Sequence, residues 1–354
     1  MKGLILSGGH GTRLRPITHV QQKQLIPVAN KPILFYAIED ILEVGIKDIG
    51  IIIGPNKEQV IETVNNANFD ANITFIEQEA PLGLAHAVKI SEDYLGDESF
   101  VMYLGDNILR NGIVKHVNRF KKAGCDASIL LSHVKNPQQF GVAELDNRGN
   151  VIKLVEKPKE PKSDLALVGI YLFSPVVFEA VNAIKPSWRN ELEITDAIQY
   201  IIDTGHKVDS AIVDGWWKDT GKAEDILDAN HLVLDELVSF NKGTLEEDVI
   251  IKGRVAIEEG TIIKKGSVIK GPVIIGKNCV IGENTYIGPY TSIGDNSKIF
   301  GGELESTIII GDSIINCKEK IVDSLIGKNT EISTSNRLPK GYKFVIGDHS
   351  KIEI

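Results

Sequence analysis

Cysteine is scarce in this 354-residue chain. Its three copies, Cys125, Cys279 and Cys317, are odd in number and too widely separated to suggest a metal knuckle or a disulfide framework, so free thiols in a reducing cytosol are expected. Long apolar runs are missing too: no stretch reaches the ~18 residues of a membrane span. The opening Met1-Lys2-Gly3-Leu4-Ile5-Leu6-Ser7 meets glycine too soon for a signal peptide. Basic residues are outnumbered, 39 against 48 acidic ones, giving a net charge of −9, and that balance argues against nucleic acid as a partner. No Ser-His-Asp or Cys-His arrangement stands out, and His86 and His133 read as structural residues. These absences point to a cytoplasmic protein that engages neither membrane nor nucleic acid.

What is present falls into two regions. Over the first 235 or so residues, short apolar runs alternate with helical periodicity. Strands are expected near residues 2–7, 48–53, 73–76, 99–104, 127–134, 141–145, 151–155 and 166–173. Helices are expected near 33–44, 57–65, 84–94, 175–184 and 193–204, with a connecting helix over 221–238. That alternation implies an α/β fold, a mostly parallel sheet with helices on both faces, whose ligands bind beyond the carboxyl ends of the strands. Beyond it, Ile251, Ile257, Ile263, Ile269, Ile275, Ile281, Ile287, Ile293 and Ile299 recur at a spacing of six, several followed directly by glycine. The period resumes imperfectly at Ile309, Ile315, Ile321, Ile326 and Ile332. A period of six fits neither a helix nor a simple strand; it marks a hexapeptide β-helix with stacked inward isoleucines.

Five motifs carry chemistry. Gly8-Gly9-His10-Gly11-Thr12-Arg13-Leu14-Arg15-Pro16 follows the first strand, where glycines let backbone amides approach a phosphate and arginines add forked donors. It is neither a Walker loop nor a dinucleotide fingerprint. Lys23-Gln24-Leu25-Ile26-Pro27-Val28 places a lysine just after it. Gly105-Asp106-Asn107 and Trp217-Lys218-Asp219-Thr220-Gly221 each offer a carboxylate able to hold Mg²⁺, which binds through one or two carboxylates plus substrate phosphates. In isolation Asp106 would read as a turn residue and Asp219 as a cap for the next helix. Val155-Glu156-Lys157-Pro158 ends a strand in a charge pair that could meet sugar hydroxyls and a second phosphate. Together they supply a glycine loop, cations for two phosphorylated substrates and two carboxylates for one metal, the set nucleotidyl transfer requires.

With Gln78-Glu79-Ala80-Pro81-Leu82-Gly83-Leu84-Ala85, Phe140-Gly141-Val142 and Glu191-Leu192-Glu193-Ile194-Thr195-Asp196, these motifs make the chain resemble the glucose-1-phosphate thymidylyltransferases, in their long form with a C-terminal β-helix. The resemblance implies a Rossmann-like catalytic domain over residues 1–238 and a left-handed parallel β-helix over 239–354. It implies conversion of dTTP and glucose 1-phosphate to dTDP-glucose and pyrophosphate, with Mg²⁺ held by Asp106 and Asp219. Arg13 would hold the outer phosphates, Lys23 would stabilise charge on the transferring group, and Lys157 would grip the sugar phosphate. The nucleotide would meet Leu6, Gly8, Gly9, Gly11, Thr12, Arg13, Gln78, Pro81 and Gly83. The sugar phosphate would meet Asn107, Gly141, Glu156, Lys157, Val168 and Trp217. Leu82, His86 and Asn30 depart from residues common in the short form.

Competing expectations remain at this level. A UTP-dependent sugar-1-phosphate uridylyltransferase, for glucose or N-acetylglucosamine 1-phosphate, differs in reading a uracil that lacks one methyl group. An inert regulatory subunit of the same fold would be expected to have lost the carboxylates and cations that are present here. A β-helix acyltransferase would need a histidine base, and none stands between His231 and His349, so the β-helix is read as a structural or homo-oligomerisation element.

Overall fold

The computed structural model describes residues 1–9, 11–54, 56–334, 344, 346 and 348–353. They form two compact units assembled from non-contiguous segments. Of these described residues, the first unit takes those within 1–10, 22–25 and 33–219, and the second those within 11–21, 26–32 and 220–354.

The first unit is built on a nine-stranded sheet. At its centre the strand Lys2–Leu6 pairs in parallel with Asp48–Ile53 on one side and Phe100–Leu104 on the other, and Asp48–Ile53 pairs with Asn72–Glu77. The sheet continues from Phe100–Leu104 into the antiparallel strand Leu165–Phe173, and from there to Gly141–Leu145 and Val151–Glu156. Successive strand side chains face opposite ways. Leu4 and Leu6 therefore join one core with Phe100 and Met102, while Ile5 joins another with Val101 and Tyr103. The helices Leu84–Lys89, Val177–Ala183 and Ile194–Asp203 close the first core; Ile33–Glu43, Lys57–Asn66 and Val114–Ala123 close the second. Burial on both faces explains why the central strands are apolar without alternation.

Several elements differ from expectation. The helix expected over 84–94 breaks into Leu84–Lys89 and Glu92–Leu95, because the Ser91 hydroxyl donates to the Ala87 carbonyl at 2.7 Å and competes with the helical ladder. Val114–Ala123 and the edge strand Val208–Ile212 were not anticipated, nor was the short pairing of Asn107–Leu109 with Trp217–Asp219.

The second unit holds three sheets of parallel strands, of six, six and five, consistent with a left-handed β-helix. Inward residues stack coil upon coil: Ile251 on Ile269 on Ile287, Ile257 on Ile275 on Ile293, Ile263 on Ile281 on Ile299. Where the isoleucine period falters, Leu304 fills the vacant position, stacked between Ile287 and Ile321 on a coil one residue shorter. A second hexad ladder of small buried residues runs four positions after the isoleucines. Thr261 and Ser267 donate at 2.6 Å to the carbonyls of Gly276 and Gly282 on the next coil, and the Cys279 thiol reaches the Gly294 carbonyl. These hydroxyls satisfy corner carbonyls that the sheets leave unpaired. The helix Ala223–Leu234 belongs to this unit, as does the hairpin formed by Pro27–Val28 and Lys31–Pro32.

Candidate active site

The order of the central strands reverses at Lys2–Leu6, with later strands added on both sides. A ligand crevice is expected beyond the carboxyl end of such a switch point. The Leu6 carbonyl there accepts from the Gly105 amide at 2.9 Å, so the first strand's exit lies beside the Gly105-Asp106-Asn107 turn. The antiparallel register sets Asp219 opposite Asn107 and thus next to Asp106. Lys23, on the short 3-10 turn Lys23–Leu25, completes the cluster. Its ammonium pairs with Asp106 Oδ2 and lies 4.0 Å from Asp219 Oδ1. Leu25 holds this turn by packing into the second core.

Lys23 keeps only 7% of its side-chain surface exposed, and these carboxylates give its buried ammonium the partners that burial demands. Burial pushes the Asp106 carboxyl up. The Lys23 charge and hydrogen bonds from Lys23 and Asn107 outweigh that effect and hold it below the ordinary carboxylate value. Asn107 Nδ2 donates to Asp106 Oδ1 at 2.9 Å, and the Trp217 indole donates to Asn107 Oδ1 at 2.7 Å. Asp219 does not cap the following helix. That position falls to Lys222, whose amide is bonded by Asp225.

The remaining candidates of this unit form two further groups. Gln78 Nε2 donates to the Gly83 carbonyl at 3.3 Å and lies 3.0 Å from His86 Nδ1. Burial, and secondarily Lys89, lower the His86 pKa, so the ring is neutral near pH 7 and Nδ1 can accept. Gly83 sits at φ 103°, and a β-carbon there would lie 2.3 Å from the Leu192 carbonyl oxygen, so glycine is required. Pro81 is exposed beside it. Gly8 faces Gln78, because a β-carbon on Gly8 would lie 3.6 Å from Gln78 Oε1.

The other group surrounds Glu156. Its Oε1 lies 3.5 Å from Lys157 Nζ and 3.5 Å from Arg189 Nη1, and the Thr195 hydroxyl reaches Oε2 at 3.5 Å. Gly141 lies against the same carboxylate and Thr195. Lys157 adopts φ 42°, a left-handed conformation seldom taken by lysine, and its amide donates to Phe140 O at 3.0 Å. Phe140 meets Trp217 edge-on at 5.4 Å, which links this group to Asn107 and Asp106. Val168 is fully buried among core residues, so only its main chain could line a ligand.

Gly11, Thr12 and Arg13 belong to the second unit. Gly11 has φ 60° and opens the 3-10 turn Thr12–Leu14. The exposed Arg13 guanidinium packs on Gly221, where a β-carbon would lie 3.1 Å from Nη2.

Sequence reasoning missed several supports. Gln22, almost fully buried, places Nε2 2.9 Å from the Ser7 carbonyl oxygen and 3.1 Å from that of Gly9, and so holds the glycine loop. It stands beside the motif that was read. Gly54 approaches so closely that a β-carbon would lie 2.6 Å from Gly8 O, a contact with no signature in sequence.

The nucleotidyl transferase family model matches residues 2–236, and a model described as the GMPPB C-terminal domain matches residues 269–353. The low-salt glycan biosynthesis nucleotidyltransferase Agl11 of Haloferax volcanii is 51% identical over 100% of both chains. A glucose-1-phosphate thymidylyltransferase of Streptomyces antibioticus is 51% identical over 100% of this chain and 99% of its own. Among solved structures, a Bacillus anthracis protein assigned as a glucose-1-phosphate thymidylyltransferase and crystallised with sucrose has a TM-score of 0.63. It is 38% identical over 68% of this chain and 98% of that one. With the lysine and paired carboxylates gathered where the central strand order reverses, these matches establish that the chain belongs to the nucleotidyl transferase family of enzymes.

Proposed function

We propose that the chain joins dTTP to glucose 1-phosphate, giving dTDP-glucose and pyrophosphate. The observation that carries this reading is the convergence of Asp106 and Asp219, far apart in sequence, on the single ammonium of Lys23. The thymidylyltransferase relative, matched over nearly its whole length, supports the choice of substrates.

Enzymes of this family generally use a divalent metal, and the donor set fits Mg²⁺. Two hard carboxylates face one point, and no group of three or more His, Cys, Asp or Glu that could hold a metal occurs among the described residues. That pattern suits an ion that takes its other ligands from phosphates and water. Asp106 and Asp219 would hold it, and when bound it would neutralise charge on the triphosphate.

In the proposed reaction, a phosphate oxygen of glucose 1-phosphate attacks the α-phosphorus in line. A new P–O bond forms, the bond to the bridging oxygen breaks, and pyrophosphate carries that electron pair away. Lys23 stabilises charge on the transferring group, and Arg13 holds the outer phosphates. Lys157 grips the sugar phosphate while Glu156 accepts from sugar hydroxyls. The Gln78 amide, fixed by Gly83 and His86, pairs with the imide edge of the base. Catalysis here is positioning and charge neutralisation. The free thiols of Cys125, Cys279 and Cys317 suit a cytoplasmic setting. Exposed Ile250, Ile262 and Ile314 on the β-helix suit self-association.

The test is pyrophosphate release over a matrix of nucleoside triphosphates and sugar 1-phosphates with Mg²⁺. The highest kcat/KM is expected for dTTP with glucose 1-phosphate, and UTP should trail by no more than about 100-fold, since one methyl group separates the bases. No release with dTTP, or a purine triphosphate as the best donor, overturns the reading.

A further inference from the structure

The glycine loop and the Lys23 turn are separate in sequence, yet one buried side chain bonds to both. Gln22 has only 3% of its surface exposed, and each of its polar parts is engaged. Its carbonyl accepts from the Leu25 amide at 3.0 Å and closes the short turn Lys23–Leu25. Its main-chain amide donates at 3.0 Å to Gln59 Oε1, on the helix Lys57–Asn66. Its Nε2 donates to the carbonyls of Ser7 at 2.9 Å and Gly9 at 3.1 Å, and to Gln24 Oε1 at 3.0 Å. Every one of these residues belongs to the first unit.

The chemistry of the carboxamide makes this arrangement specific. Main-chain carbonyls can be met only by the nitrogen of the side-chain amide, and its two hydrogens are shared among three acceptors. Across a trans peptide plane an N–H points opposite to the preceding C=O. Holding the Ser7 carbonyl therefore turns the Gly8 amide away from Gln22. Gly54 closes on the same loop, since a β-carbon there would lie 2.6 Å from the Gly8 carbonyl oxygen. Gln24, also buried, brings Nε2 to 4.0 Å from where a β-carbon on Gly9 would lie. Lys23 thus stands between two glutamines that bond each other and both meet the loop.

We infer that Gln22 is a positioning residue for the triphosphate: its carboxamide locks the glycine loop to the turn that carries Lys23, so that the loop amides and the Lys23 ammonium meet the ligand in a fixed relation. This deepens the proposed nucleotidyl transfer and rests on that reading for its kinetic readout.

The test compares the parent enzyme with three variants. Gln22→Met keeps the length but removes both donors, Gln22→Glu keeps the shape but turns the donor into an acceptor, and Gln59→Ala removes only the outer tether. Circular dichroism confirms folding, and steady-state kinetics are normalised to the folded fraction. Gln22→Met is expected to lower kcat by about tenfold or more and to raise KM for dTTP by about fivefold. KM for glucose 1-phosphate is expected to stay within twofold, because no bond of Gln22 reaches the Glu156 group. Gln22→Glu is expected to lose more on both counts, since its carboxylate faces three acceptor oxygens. Gln59→Ala is expected to move the same two parameters by less. Values of kcat and dTTP KM within twofold of the parent in folded Gln22→Met overturn the inference, as does an equal rise in KM for both substrates. If neither Gln22 variant folds, Gln59→Ala decides, and parent-like kinetics there overturn it. If the parent releases no pyrophosphate with any substrate pair, the nucleotidyl-transfer reading fails by itself. Hydrogen exchange over residues 7–9 and 22–25 then decides: faster exchange in Gln22→Met supports the lock, and unchanged protection overturns it.

Discussion

A lysine almost wholly removed from water between two aspartates is held by charge as much as by packing. Such an arrangement is retained for chemistry more readily than for stability, since buried ion pairs recover little of their desolvation penalty. The other lysine of the site is of a different kind. Lys157 is 40% exposed in a left-handed backbone conformation beside Glu156, free to meet an incoming anion. Lys157→Ala is expected to raise KM for the sugar phosphate by about tenfold, the worth of one charge-assisted bond of ~1.5 kcal/mol, and to leave triphosphate KM nearly unchanged. Initial-rate measurements with each substrate varied check this; an effect on the triphosphate alone reverses the two lysine roles. His86 adds a pH dependence. Its folded-state pKa lies below the ordinary value of about 6.5, owing first to burial and then to Lys89. The folded state therefore favours the neutral ring. Its contribution is present above the ordinary value and is lost as pH falls through the lowered one. Protonation removes the Nδ1 acceptor that faces Gln78 Nε2. KM for dTTP is expected to rise on acidification from pH 7 to 5, and His86→Gln is expected to flatten that rise. An identical rise in the variant counts against the role of His86.

At the scale of elements, the central strands were legible because burial on both faces demands unbroken apolar runs, and the β-helix because its inward isoleucines repeat every six residues. Val114–Ala123 was readable in principle, since Val114, Val117 and Phe120 lie on one helical face. Val208–Ile212 was not: Val208, Asp209, Ser210, Ala211 and Ile212 give little apolar signal, and the strand exists because Ala127–His133 offers it an edge. Leu304 escaped because the coil is shorter there, and the chain keeps its core by changing register rather than residue class. In the site, Lys23, Asp106 and Asp219 were each legible as motif members, whereas their supports depend on close approach that only the folded chain creates. Gly169 is one of these. It lies at φ 82° in the strand Leu165–Phe173, where the pairing register shifts, and a β-carbon there would lie 2.8 Å from Leu104 and 3.2 Å from Asn107 Nδ2. Gly169→Ala is expected to destabilise the protein by roughly 1–3 kcal/mol through strain and crowding, and to lower kcat by disturbing the amide that bonds Asp106. Thermal unfolding alongside kinetics checks both effects, and a melting temperature and kcat equal to the parent's remove the claim.

For the whole molecule, the fold brings Asp219, which closes the first unit, to the end of a strand near the sheet's centre by pairing Trp217–Asp219 with Asn107–Leu109. The second unit, which holds Arg13 and the hairpin of Pro27–Val28 and Lys31–Pro32, has its own core, an isoleucine stack. No helix among the described residues is long and apolar enough to cross a membrane. The central claim is that two acids from distant parts of the chain act on one metal-bound triphosphate. Its most direct test is pyrophosphate release from dTTP and glucose 1-phosphate under saturating Mg²⁺ by Asp106→Asn and Asp219→Asn, each first confirmed as folded by circular dichroism. A loss of about 100-fold or more in kcat is expected for each, in the range found when one stabilising group is removed from a preorganised site. Full turnover in either folded variant would contradict the shared metal site.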